Sequence, residues 1–265
     1  MSALPRDWRS RIADSPNGVP VRPRLLVSVR NVEEATAAIA GGCDWLDIKE
    51  PAHGPLGRPD SSVAVAIQDW LGDSPALPCS AAIGEMVELL HGRTADRADA
   101  RKIASRLAVV KTGLAGCADR PEWEAELEGL VGELPMELIA VTYADHEAAG
   151  APQLAATIKA ASRAGCLGVL VDTWDKRGSK LLDCLSIDEL GHFRRQAHAA
   201  GLMFSVAGRL DLPAIQSLVR CGCDVIGVRS AACRSGDRNS AISTEAVAEL
   251  AALLDAAAGT PLTAG

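Results

Sequence analysis

Aromatic residues make up only 3% of the chain, so a large core must be assembled from Ala, Val, Leu and Ile. No apolar run approaches the length needed to span a membrane, and the N-terminus lacks an apolar signal region. Together these absences predict a cytoplasmic protein with no membrane partner, in which the eight cysteines stay reduced. An excess of positive charge is also missing. With 27 basic and 34 acidic residues the net charge is −7, and the signs are interspersed, which argues against nucleic acid as the main partner. Neither Cys-x-x-Cys nor His-x-x-x-His spacing occurs. The cysteines, Cys221-x-Cys223 included, are therefore expected to be small packing residues, with no metal bound.

What is present is a repeated alternation of strand and helix. Hydrophobic content of 48% over 265 residues supports one large core. Met1–Pro23 is rich in Pro, Arg and Ser without sustained periodicity. It is read as an arm outside the fold, docked on a neighbouring subunit of a homo-oligomer, with residues 24–265 forming the catalytic domain. Strands are predicted at Arg24–Arg30, Asp44–Glu50, Cys79–Ile83, Leu107–Thr112, Glu137–Thr142, Gly168–Val171, Leu202–Ala207 and Asp224–Val228. Helical patterns follow, among them Val32–Ala40 capped by Asn31, and Ser186–Ala200 opened by a Ser186/Glu189 capping box. A polar segment and a helix reaching Arg106 follow the third strand. Eight such units, with no G-x-G-x-x-G turn after the first strand, imply a single (β/α)8 TIM barrel. Ala40-Gly41-Gly42-Cys43-Asp44, Ala164-Gly165-Cys166 and Cys221-Gly222-Cys223-Asp224 recur at helix-to-strand junctions, at the end of a barrel away from chemistry.

Chemistry is expected at the opposite end, where strands finish in charge. Asp47 and Lys49, Lys111, and Asp172 with Lys176 all close apolar runs at the same end of their strands. A solvated charge or a structural Asp–Lys pair explains any one of these alone. Three strands doing it point to an active site. A lysine in a partly apolar pocket near other cations loses its proton more easily and becomes a nucleophile able to form a Schiff base. Lys49, beside Asp47 and before the rigid Pro51, and Lys111 are the candidates. Asp172 is placed to shuttle protons, and Lys176 to hold a phosphate or an acid.

The chain's end offers a phosphate cradle. Ala207-Gly208-Arg209 leaves the seventh strand and Ser230-Ala231-Ala232 the eighth, followed by Arg234-Ser235-Gly236-Asp237-Arg238. Barrels commonly bind phosphate at this position through backbone N–H groups of small-residue turns. Gly208→Val is accordingly expected to weaken substrate binding and leave the fold largely intact. Tyr143 ends the fifth strand at the mouth, and Ala52–Asp60, with Gly54 and Gly57, has the composition of a lid.

These segments resemble a known family. Leu25-Leu26-Val27-Ser28, Asp47-Ile48-Lys49-Glu50-Pro51 with Gly54-x-Leu56-Gly57, Val110-Lys111-Thr112-Gly113, Tyr143-Ala144-Asp145, Leu170-Val171-Asp172-Thr173 with Lys176-x-Gly178, and Gly227-Val228-Arg229-x-Ala231-Ala232-Cys233 with Gly236-Asp237-Arg238 are similar to (5-formylfuran-3-yl)methyl phosphate synthase. The match runs from about Arg24 to Leu254. Archaeal members carry Lys-Asn-Pro where this chain has Lys49-Glu50-Pro51, and a different segment at Glu85–Arg101, which suggests a bacterial member.

The resemblance implies condensation of two glyceraldehyde 3-phosphate molecules, with loss of one phosphate and of water, to the furan precursor of methanofuran or methylofuran. It implies a Schiff base on the lysine matching Lys49 and acid–base work by the one matching Lys111, with Asp47, Asp172 and Lys176 in the site. Ser28, Gly208, Arg209, Ser230, Ala231 and Arg238 are the expected substrate and phosphate contacts. No metal or organic cofactor is required by that scheme. Two other readings stay open on the residues alone: a class I aldolase acting on another sugar phosphate, and a catalytically silent barrel that binds a phosphorylated metabolite. The residues do not settle which lysine forms the imine.

Overall fold

The computed structural model describes residues 22–72 and 77–258. Eight strands close into a parallel barrel in chain order, with β8 returning to β1. They are β1 (Arg24–Val29), β2 (Trp45–Ile48), β3 (Cys79–Glu85), β4 (Val109–Gly113), β5 (Glu137–Tyr143), β6 (Gly168–Asp172), β7 (Met203–Val206) and β8 (Val225–Val228). Around them lie α1 (Val32–Ala40), α2 (Ser61–Leu71), α3 (Met86–His91), α4 (Thr94–Ala104), α5 (Trp123–Glu133), α6 (His146–Ala149), α7 (Leu154–Ala164), α8 (Leu181–Cys184), α9 (Ile187–Ala199), α10 (Leu212–Cys221) and α11 (Thr244–Ala258).

The strands are buried on both faces because each serves two cores. Alternate residues such as Leu25, Val27, Leu46, Val110, Val169 and Phe204 pack outward against helix residues including Ile67, Leu127, Ile158 and Ile215. Their neighbours Leu26, Trp45, Val109, Ile139, Leu170, Met203 and Val225 fill the barrel interior. Trp45 is among the largest fully buried side chains, a compensation for the scarcity of rings elsewhere. Helix starts follow the expected chemistry. The Asn31 side chain accepts from the Glu34 amide at 2.8 Å, and Ser186 with Glu189 forms the reciprocal capping box.

The Cys-Asp junctions lie at the strand N-termini, and each has a task there. Asp44 accepts from the Leu25 amide at 2.8 Å, and Asp224 from the Phe204 amide at 2.7 Å. Each carboxylate ties the start of one strand to its neighbour, which explains the repeated motif at the floor.

Two differences from expectation bear on the site. β3 continues through Glu85, because Gly84 adopts φ +98° and the β3–β4 register shifts between Ala82 and Glu85. The polar stretch after it is two helices, α3 and α4, broken at Gly92. Of the proposed N-terminal arm only Arg22 and Pro23 are described, and Arg22 pairs with Asp44 and Asp255. Residues 1–21 lie outside the described residues.

Candidate active site

The barrel opens at the strand C-termini into a cavity whose empty space, counted out to the open solvent at its mouth, is about 930 Å³. Ser28, Asp47, Lys49, Lys111, Asp172, Lys176, Gly208, Arg209, Ser230 and Arg238 all line it. The structure therefore brings together every candidate from the sequence except Ala231, which lines a separate shallow cleft with Ser230 and Arg209. Inward alternation places them there. Asp47 lies on the inner face of β2 and Lys49 two residues on, just past its end, and the β3–β4 register aligns Ala82 with Lys111, so small residues separate the charged ones.

The pairing of charges differs from the sequence reading, which set Asp47 beside Lys49. Asp47 instead bonds Lys111, with Nζ to Oδ2 at 2.6 Å, and both side chains are almost wholly buried. Ser80 donates to Asp47 Oδ1 at 2.8 Å and Ser28 to Oδ2 at 3.3 Å, while the Trp45 indole N–H donates to Ser80 Oγ at 3.1 Å. Asp47 is thus fully occupied, and its charge offsets that of Lys111. The strand stagger explains this: Asp47 pairs in register with Ser80, one strand short of Lys111, whereas Lys49 sits higher, towards the lip.

At the second acid, Lys176 Nζ lies 2.5 Å from Asp172 Oδ1, which also accepts from the Thr173 amide at 2.8 Å. Burial works against ionisation of Asp172, but the lysines Lys176 and Lys49 and these hydrogen bonds outweigh it and hold its carboxyl below the usual range.

Lys49 is left over. Among the described residues its Nζ has only the Pro55 carbonyl at 3.4 Å, and no carboxylate forms an ion pair with it. Burial depresses its ammonium to a pKa of about 8, aided by repulsion from Lys176 and Lys111 and opposed by Asp172 and Asp47. Burial is the largest of these effects, and like-charge repulsion adds to it. The Pro55 contact places the Gly/Pro-rich segment over the mouth, with Pro55 and Leu56 lining the cavity.

The basic residues after β7 and β8 divide into braces and free cations. Arg229 is a brace: its guanidinium pairs with Glu34 at 2.5 and 3.0 Å and donates to the Ser28 carbonyl at 2.9 Å. Arg209 Nη1 donates to the Gly178 carbonyl. Arg238 donates to the Pro51 carbonyl at 3.1 Å and, among the described residues, forms no ion pair. Gly208 has φ +115°, and a Cβ there would lie 3.0 Å from Thr173 Cγ2 and 3.2 Å from Leu181 Cβ. Valine at this position would strain the backbone and crowd those neighbours, so the expectation that Gly208→Val spares the fold does not hold.

Glu85 escaped the sequence reading because Gly84-Glu85 looks like a strand exit. It is 7% exposed, accepts from Tyr143 Oη at 2.5 Å and from the Ala115 amide at 2.9 Å, and so ties β3 to β5 and to the turn after β4. Burial raises its carboxyl to a pKa of about 7, against lowering by the Tyr143 and Ala115 bonds. A carboxyl whose folded pKa lies above its unfolded value makes the folded state bind the extra proton. Its contribution is present below about pH 4.5, the unfolded value, and is lost as pH rises through 7. Glu85→Gln is therefore expected to flatten the stability profile between pH 5 and 8, removing a decline of about 3 kcal/mol. Urea titrations of both proteins across that range check this; parallel profiles would show Glu85 ionised throughout.

A family model described as 4-HFC-P synthase matches residues 25–251. The chain belongs to that family. It is 35% identical over 247 residues to (5-formylfuran-3-yl)methyl phosphate synthase of Methanobrevibacter smithii, covering 87% of this chain and 98% of that one. The protein of the same name from Methanopyrus kandleri is 35% identical over 243 residues, covering 88% and 100%. Relatives at 31–35% identity are mostly archaeal, so the bacterial membership suggested by Lys49-Glu50-Pro51 is not borne out by them. Among solved structures, phosphoribosyl anthranilate isomerase from Thermus thermophilus superposes with a TM-score of 0.55 at 16% identity, covering 88% of this chain and 98% of that one. That likeness is one of fold.

Proposed function

We propose that this protein condenses two molecules of glyceraldehyde 3-phosphate into (5-formylfuran-3-yl)methyl phosphate through an imine on Lys49. One observation carries the reading. Of the three lysines in the cavity, two are paired with acids at 2.6 and 2.5 Å, and the third, with its pKa at about 8, forms no ion pair among the described residues. Membership of the 4-HFC-P synthase family supports the choice of product.

The chemistry follows from the placement. The neutral Lys49 amine adds to the aldehyde carbon of the first substrate, and loss of water forms the C=N bond. The protonated imine draws electrons from C2, so its proton can leave to a carboxylate such as Asp172. The resulting electron pair expels phosphate from C3, leaving an unsaturated three-carbon unit on the lysine. Its C3, nucleophilic because C2 carries the enol hydroxyl, bonds to the carbonyl carbon of the second substrate once that has isomerised to its keto form. Ring closure, loss of water and hydrolysis of the imine release the furan aldehyde. Two C3 phosphates thus become one C6 phosphate, one inorganic phosphate and two waters, with no external oxidant. In this reading Lys111, held by Asp47 at 2.6 Å, hands protons to the forming hydroxyl groups. The turn at Gly208, with Ser230 and with Arg238, which forms no ion pair among the described residues, holds the phosphate that is kept in this reading.

Incubating the purified protein with glyceraldehyde 3-phosphate alone tests this. The expected result is a furan aldehyde absorbance that grows in step with free phosphate, one for one. Phosphate release with no furan, or an aldol product that keeps both phosphates, would replace this reading with another Schiff-base barrel.

A further inference from the structure

The cavity continues below the lysines, on the side of the barrel where β7, β8 and β1 meet. There it is lined by Leu26, Leu170, Met203, Val225, Gly227 and Ser205. Two independent features of this depth have no structural explanation.

The first is Ser205. It is 3% exposed, and its Oγ has no hydrogen-bond partner among the described residues. Burying a hydroxyl without a partner is unfavourable, and alanine at the same place would avoid that cost. Three other described side chains share the condition, Gln68, Thr157 and Arg194, and none of them borders the cavity.

The second is Gly227. Its backbone does not adopt the left-handed conformation that favours glycine. A Cβ built there would meet Ala207 Cβ at 3.4 Å, Leu26 Cδ2 at 3.5 Å and the Val206 carbonyl oxygen at 3.7 Å, all ordinary contacts. The fold would accept alanine. What glycine provides is open space in the lining of the same cavity as Ser205, two residues along β8 from Val225, the in-register partner of Ser205, at a level where barrels are normally filled by side chains.

We infer that Gly227 and Ser205 form a subsite for the uncharged, oxygen-bearing carbon end of the phosphorylated substrate, with the Ser205 hydroxyl bonding its hydroxyl or carbonyl oxygen. This rests on the reading of the cavity as a site for a phosphorylated three-carbon aldehyde. The lining decides the polarity of the occupant. Apart from Ser205 the floor is apolar, and the nearest ion pair, Lys111–Asp47, is already neutralised at 2.6 Å, so a phosphate would find no cation there. The distance fits as well. Ser205 lies two residues before Ala207, and roughly 7 Å of extended chain separates that level from the phosphate turn, about the length of a three-carbon phosphate. The depth of the pocket then sets how long a carbon chain is accepted.

Binding of inorganic phosphate and of glycerol 3-phosphate, an unreactive stand-in, is measured by calorimetry for wild type, Gly227→Ala and Ser205→Ala. Inorganic phosphate needs only the upper turn; glycerol 3-phosphate also needs the pocket. Wild type should prefer glycerol 3-phosphate. Gly227→Ala should weaken it about tenfold or more, through one added methyl group in a fitted pocket. Ser205→Ala should weaken it roughly fivefold, through one lost hydrogen bond. Neither variant should change phosphate affinity. Equal affinities for glycerol 3-phosphate in all three proteins overturn the subsite, as does a wild type that binds both ligands alike. Ser205→Ala removes an unpartnered group, so it keeps the test alive should Gly227→Ala fold poorly. A wild type that discriminates between the ligands yet makes no furan leaves the subsite standing and removes the proposed reaction.

Discussion

Lys49→Arg is expected to fold normally and to lose turnover of glyceraldehyde 3-phosphate by on the order of 10⁴-fold or more. Arginine keeps a positive charge at the cavity lip, so the electrostatic field around Asp172 and Lys176 changes little. A guanidinium does not deprotonate near neutral pH, however, and forms no stable imine. The wild-type side chain is suited to the task by its surroundings. With the pKa at about 8 instead of 10.5, the neutral fraction at pH 7 rises about 300-fold. The sign follows for the pH profile: kcat/KM climbs about tenfold per unit below pH 8 and levels above it, because only the neutral amine attacks. Furan absorbance against time, from pH 6 to 9, measures both. Lys49→Arg retaining a tenth of wild-type activity would remove Lys49 as the nucleophile.

Lys111→Met should cost both stability and turnover. The substitution leaves Asp47 buried at 1% exposure with only Ser80 and Ser28 to solvate its charge. Breaking a buried pair by removing one partner destabilises by about 3–5 kcal/mol, most of it the uncompensated charge. Adding Asp47→Asn removes that charge and keeps an acceptor for the two serines. The double variant should recover most of the lost stability and none of the lost turnover. Urea unfolding of the single and double variants, read beside activity, separates the structural from the chemical role. A Lys111→Met protein as stable as wild type would mean that the pair contributes nothing to the fold.

Much of this architecture was legible because barrel strands advertise themselves. Short aliphatic runs ending in Asp47, Lys49, Lys111 and Asp172 can only be strands buried on both faces with charge at one end, and the cavity gathers all four. Pairing was not legible. Which acid meets which lysine depends on strand stagger, and nothing in Asp47-Ile48-Lys49 says that Asp47 reaches two strands across to Lys111. Glu85 was hidden by Gly84, which reads as a turn and is a bulge within β3. Ser205 and Gly227 sit in ordinary-looking strands; what distinguishes them is an unpartnered oxygen and an unused space, and neither exists before the barrel closes.

The imine itself can be caught. Borohydride added during turnover of glyceraldehyde 3-phosphate should reduce the C=N bond and fix covalent mass on the protein, with digestion and mass spectrometry assigning it to Lys49. Label on Lys111 would exchange the roles of the two lysines. An unlabelled protein that still makes the furan at the normal rate would contradict the Schiff-base account.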